Sequence, residues 1–377
     1  MEDIYNPDKL MYNYMKEGHG KARADAIRYA IGQADLNNDV EHMVSFRIEL
    51  CEESEWYGDG LDIVTVFPEL LAVADKYAGK FPNIMEDVLW TYEDLVDICI
   101  EFYQIPFDDC RNFINDFKKR WVLSGRGIRE PYRMMAEFYI DAGYLEEAGQ
   151  AVSMLKASPM EHYDCTGCAA NTELSYYLAN NEKEKADQIA VKIDGCIFTC
   201  GGNMSDSNSI YRMNKRYLKY YILNGDYEKA AEKARLLERA RSSAIDYKLW
   251  SSFMCAYVYN NTGRGLRIYK KHWRDIENVT RPEYMYYSFK DAACFFMGLE
   301  KVKKEENVKL QLDNKFPLYN QDNIYSIEKL SEYYYNKAEE VAIKFDQRNG
   351  TDKYMKELKM SVENILSYNP GKERQEV

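Results

Sequence analysis

Two pairs of cysteines are the residues best placed to do chemistry. Cys165 and Cys168 stand in Asp164-Cys165-Thr166-Gly167-Cys168, and Cys196 and Cys200 follow after Gly195, with 27 residues between the pairs. A C-x2-C and a C-x3-C at this separation have the spacing of a tetrahedral thiolate site, so structural zinc is one expectation. His162 is a reserve ligand. Two other readings stand beside it. The thiols could be small inert side chains, as Cys51, Cys99, Cys110, Cys255 and Cys294 are expected to be. They could also be redox groups, with Asp164 capping a helix whose N-terminus lowers the pKa of Cys165.

A basic stripe in an acidic chain is the second candidate. Between Tyr211 and Tyr220, Arg212, Arg216 and Lys219 recur at helical spacing, with Tyr211, Leu218 and Ile222 on the packing side. Arg and Lys in this pattern, with Asn214, could hold the carboxylate or backbone of a peptide. The competing reading is a solvated face paired with nearby Asp and Glu. A second run, Arg264 to Arg274, reads as solvation.

Signals for catalysis are poor, and no enzyme activity is expected. The four histidines, His19, His42, His162 and His272, form no H-E-x-x-H arrangement. Gly125-Arg126-Gly127 and Gly263-Arg264-Gly265 lack the Gly-Lys-Ser/Thr of a phosphate loop, and Gly201-Gly202-Asn203 follows no strand. The net charge of −12 argues against nucleic acid, whose phosphates need a basic face. No apolar run of membrane length and no secretory signal core are evident. Nine irregularly spaced cysteines then point to a reducing compartment, and a cytoplasmic protein is expected.

The elements that position these residues repeat. Four times a Tyr-rich apolar helix stops at a Gly or Asn turn and a second helix follows, usually carrying Ala about five residues on. The copies are 138–148, 176–186, 220–230 and 256–266, with Gly143, Asn181, Gly225 and Gly263 as their turn positions. A period of roughly 38 to 44 residues marks a helical solenoid, in which each repeat packs on its neighbours. Upstream, Lys21 to Ala34 is an amphipathic helix burying Ala24, Ile27, Ala30, Ile31 and Ala34. Helices follow over 40–56, 61–77, 90–103 and 108–121. Gly60 and Pro106 as corresponding turns extend the series to about six units. Both cysteine pairs fall in connections between units, on one edge, where zinc would clamp neighbouring repeats. After residue 280 the pattern weakens. Helices are expected over 284–304 and 324–347, separated by an irregular stretch. Residues 281–368 read as a C-terminal helical cap, and residues 369–377 as a disordered tail.

Gly225-Asp226-Tyr227-Glu228-Lys229-Ala230 resembles the turn of a tetratricopeptide repeat, where an aromatic stands three residues before an Ala in the second helix. Gly143 to Ala148 resembles it more loosely. The early tryptophan of that family is mostly missing, and the units exceed 34 residues. The chain is therefore similar to a degenerate TPR-like α-solenoid of bacterial type, all-α and right-handed. An N-terminal segment (1–20) precedes the solenoid (21–280). The resemblance implies that first helices line a concave face. Arg212, Asn214, Arg216 and Lys219 would lie there, extended by Tyr176, Tyr177 and Arg133. The implied function is a protein- or peptide-binding scaffold. The alternatives are a peptide-responsive sensor of the bacterial TPR type and a cysteine-based redox or metal protein. Partner identity and oligomeric state are not legible.

Overall fold

The computed structural model describes residues 5–58, 60–81, 83–198, 207–240 and 249–369. Cys200 and the tail from residue 370 lie outside them. Seventeen helices and one two-stranded ribbon are present among the described residues. The chain divides into two units, Met1–Met134 and Met135–Val377.

The first unit holds α1 (Pro7–Lys16), α2 (Lys21–Leu36), α3 (Val40–Tyr57), α4 (Leu61–Tyr77), α5 (Ile84–Glu101), α6 (Phe107–Leu123) and the start of α7 (Arg129–Ala142). Each of α1 to α5 packs on the next in sequence. The buried side of α2 consists of Ala24, Ile27, Ala30, Ile31 and Ala34, the set that its periodicity predicts. These residues join Tyr14, Met43, Phe46 and Leu50 in one core. Small alanines let α2 approach α3 closely, while Phe46 and Leu50 fill the remaining space.

The second unit continues with α8 (Leu145–Ala157), α9 (Thr166–Ala179), α10 (Lys183–Asp194), α11 (Ser207–Leu223), α12 (Tyr227–Arg239), α13 (Trp250–Ala256) and α14 (Thr262–Glu277). The repeated turn has one hydrogen-bond pattern. At the end of α7, Gly143 N donates to Ile140 O and Tyr144 N to Tyr139 O; Asn181 with Glu182, and Gly225 with Asp226, repeat both bonds. This is the Schellman motif, whose third member must turn left-handed. The φ values of Gly143, Asn181 and Gly225 are 90°, 56° and 74°. The Ala that follows, at 148, 186 and 230, is fully buried each time. The fourth copy departs from expectation. Gly263 lies inside α14, which Asn261 caps by accepting from Arg264 N at 3.1 Å. The turn occupies 257–261 instead, because the Asx cap starts α14 before the glycine is reached.

Successive first helices touch directly: α3 meets α5 in the first unit, and α9 meets α11 and α11 meets α13 in the second. The first helices therefore form a face of their own within each unit.

Beyond residue 280 lie α15 (Pro282–Lys303), β1 (Asn307–Lys309), β2 (Ile324–Ser326), α16 (Ile327–Asn349) and α17 (Lys353–Ser367). The strands pair antiparallel with Val308 opposite Tyr325, so the stretch expected to be irregular is closed by a small ribbon. The sequence reading also ended the helices near 347. In fact α17 follows, packs on α15 and α16, and also reaches α11. Thr351 Oγ1 donates to Ala142 O at 3.0 Å, Lys353 Nζ to Asp141 O at 2.9 Å, and Asn364 Nδ2 to Leu223 O at 2.8 Å. The last carbonyls of α7 and α11 lack intrahelical partners, and donors on or beside α17 satisfy them. The C-terminal helices thus run along the second unit rather than only closing its last hairpin.

Candidate functional site

The first-helix face of the second unit carries a hydrogen-bonded row across three helices. Glu137 on α7 accepts from Thr172 Oγ1 on α9 at 2.5 Å and from Arg216 Nη2 on α11 at 3.0 Å. Arg216 also donates through Nε to Ser175 on α9. Glu137 and Arg216 keep 21% and 24% of their side-chain surface accessible, so the pair is sheltered and still reachable. Linked bonds of this kind polarise one another, and the charged members make them stronger than neutral ones.

Around this row lie further charges. Lys219, one turn beyond Arg216, places Nζ 3.7 Å from the centre of the Tyr287 ring on α15. Lys353 of α17 lies 3.7 Å from Asp141 Oδ1 and 3.9 Å from Glu357. Desolvation pushes the Asp141 carboxyl above its ordinary range, against the pull of Lys353 and Lys219. The cations singled out in the sequence are therefore engaged within the unit.

The other expected binding residues fall in different places. Arg212 is exposed and donates to Cys168 Sγ at 3.3 Å. Asn214 is buried and donates to Ile210 O on its own helix. Tyr176 packs against Ala136, Ala151 and Val152. A Cβ at Gly149 would lie 2.5 Å from its hydroxyl oxygen, so the glycine makes room for the phenol. Tyr177 Oη donates to Glu173 at 3.0 Å and accepts from Lys156. Arg133 belongs to the first unit, buried beside Glu130 and 3.8 Å from Glu93. Arg216 and Lys219 are thus the stripe residues that stand with Glu137 and Asp141. The basic run on α14 is paired as well: Arg264 with Glu238 and Arg274 with Asp313, both at 2.6 Å, while His272 stacks on Trp250.

Cys51, Cys99, Cys110, Cys255 and Cys294 are buried. Burial pushes the thiols of Cys51 and Cys255 well up, and that of Cys294 to about 12, which makes them inert toward oxidation and metals. Cys165, Cys168 and Cys196 are partly exposed. Cys165 itself occupies the N-cap of α9, its sulfur accepting from Cys168 N at 3.2 Å. Asp164, expected to be that cap, instead accepts from Glu161 N. The shorter Cys side chain stands where the backbone turns into the helix. Among the described residues, no three His, Cys, Asp or Glu side chains gather as a metal site requires.

Sequence reasoning missed Glu137, Thr172 and Ser175. Their signal lay in the period. Glu137 and Ser175 each stand six residues before the turn residue of their hairpin, Gly143 and Asn181, while Thr172 and Arg216 each stand nine before theirs, Asn181 and Gly225. No protein-family model, no curated protein and no solved structure matches the chain. No helix among the described residues is long and apolar enough to cross a membrane.

Proposed function

We propose that the protein is a TPR-like, right-handed helical-hairpin scaffold that binds a protein or peptide segment along a concave first-helix face. It acts in the cytoplasm, is of bacterial type and performs no bond-making chemistry. The row from Glu137 through Ser175 to Arg216 carries the reading. Three successive hairpins contribute to one polar cluster, closed around a partly accessible acid–base pair. A peptide backbone presents amides and carbonyls at short intervals, and such a row meets both. The test places a photo-crosslinking residue at Tyr177 on a first helix, or at Lys271 on the second helix α14, in cells that make the protein. Crosslinks from position 177 and none from 271 are expected. Crosslinks from 271 alone would overturn the assignment of the face.

A second reading, a peptide-responsive sensor, is favoured by α17, whose polar donors reach the ends of α7 and α11. In it, ligand binding changes how firmly α17 is held. Small-angle scattering with and without a bound peptide separates the two, since a static scaffold keeps its radius.

A further inference from the structure

Helix α9 begins with two thiols one turn apart. Cys165 is its N-cap, and Cys168 follows in the first turn. Each sulfur accepts from a different donor. The Cys168 N–H donates to Cys165 Sγ at 3.2 Å, and Arg212 Nη1, on the neighbouring α11, donates to Cys168 Sγ at 3.3 Å. An N–H at a helix N-terminus and a guanidinium both favour thiolate over thiol. Two separate elements, a helix start and a cation from the next hairpin, therefore act on one pair of sulfurs.

The pair is also reachable and close. Cys165 and Cys168 are partly exposed, whereas Cys51, Cys99, Cys110, Cys255 and Cys294 are buried. Helical rise and twist place the Cα atoms of residues i and i+3 about 5 Å apart, inside the roughly 4.4–6.8 Å that a disulfide spans. The bond from the Cys168 N–H already draws Cys165 Sγ toward Cys168. Gly167, between them, is buried, and its carbonyl accepts from Asn171 Nδ2 at 3.0 Å, which holds the first turn in place. The Cys168 carbonyl accepts from Thr172 Oγ1 at 3.1 Å. The dithiol thus stands one turn along α9 from the row of Glu137 and Arg216.

We infer that Cys165 and Cys168 form a redox-active dithiol that exchanges with low-molecular-weight disulfides. The helix field is strongest at its first residues, which assigns the attack to Cys165. Its thiolate attacks one sulfur of R–S–S–R, forms a mixed disulfide and expels R–S⁻. The Cys168 thiolate, stabilised by Arg212, then attacks Cys165 Sγ, closes the bond between the two cysteines and expels the second R–S⁻. Two protein thiols are oxidised, one disulfide is reduced to two thiols, and the two protein protons end on the leaving groups. The bond forms within the chain, so the inference stands apart from how a partner is held.

The experiment adds glutathione disulfide to the reduced full-length protein, quenches over time by alkylating free thiols, and maps the peptides by mass spectrometry. The expected product is a disulfide between Cys165 and Cys168, formed while the five buried thiols stay reduced, and reversed by dithiothreitol. Cys168→Ser should trap glutathione on Cys165. Arg212→Gln changes an exposed position and slows closure relative to attack. It should raise the share of chains caught with glutathione on Cys165 about threefold, the net of less thiolate and a more nucleophilic sulfur. Oxidation of the pair no faster than of the buried five would overturn the inference. So would a disulfide from either thiol to Cys196 or Cys200 in its place, or an unchanged share of mixed disulfide in Arg212→Gln. Protection of the pair that a chelator removes would overturn it as well, since the sulfurs would then be holding a metal.

Discussion

At the scale of single residues, the main lesson is that a cation identified from its spacing already has partners. Arg216→Glu would place two carboxylates together at Glu137, so loss of binding and loss of stability would be confounded. Arg216→Gln keeps a donor near Ser175 and removes the charge. It is expected to lower stability by about 1 kcal/mol, read by urea unfolding, and to reduce crosslinking of a partner to the second unit. Asp94 provides a pH test. Burial first, and then Glu55, raise its carboxyl from 3.8 to about 10. The folded chain therefore keeps a proton that the unfolded chain releases. The associated stability is fully present below about pH 4 and is lost as pH rises toward 10. Asp94→Asn, which needs no proton, should flatten this decline. The variant is expected to be more stable than wild type at pH 9 by about 1 to 3 kcal/mol, with the gap narrowing at pH 5, in urea unfolding at both values. An unchanged slope between the two would rule out the raised carboxyl.

At the scale of elements, two glycines of α14 separate helix propensity from packing. A Cβ at Gly263 meets only Arg267 Nη1, at 3.7 Å, whereas a Cβ at Gly265 would lie 2.6 Å from Phe295 and 2.9 Å from Met254 O. Gly263→Ala should therefore stabilise by up to about 1 kcal/mol, and Gly265→Ala should destabilise by about 1 to 3 kcal/mol, both measured by thermal unfolding. The elements were legible where their causes are local. The buried set of α2 follows from 3.6-residue periodicity, and the Schellman turns follow from Gly or Asn five residues before an Ala. Helix α17 was not legible, because its start is set from the preceding helix and not by a cap of its own. Asp352 at its N-cap makes no side-chain bond, and Asp346 on α16 accepts from Tyr354 N and Met355 N at 2.9 Å each. No local capping pattern records that.

At the scale of the whole chain, α17 belongs to the second unit energetically as well as in sequence. Its Tyr354, Leu358 and Ile365 are fully buried. Each is worth about 1.5–3 kcal/mol of apolar burial. A chain ending after Asn349 should unfold at markedly lower temperature in its second unit. Hydrogen exchange should rise at the C-terminal ends of α7 and α11, which lose their donors. Protection of α2 and α3 is the internal control and should not change. The amino-acid sequence by itself determined the helical-hairpin repeat, its period, the burial of the small residues after each turn and the sign of the charge. All of these are set by residue types within one or two turns of each other. The tertiary structure alone decided that Glu137 meets Arg216, that donors of α17 satisfy the ends of α7 and α11, and that Glu55 of α3 lies beside Asp94 of α5. Those pairings join residues 39 to more than 200 positions apart. They follow from how the hairpins stack, which no local pattern encodes.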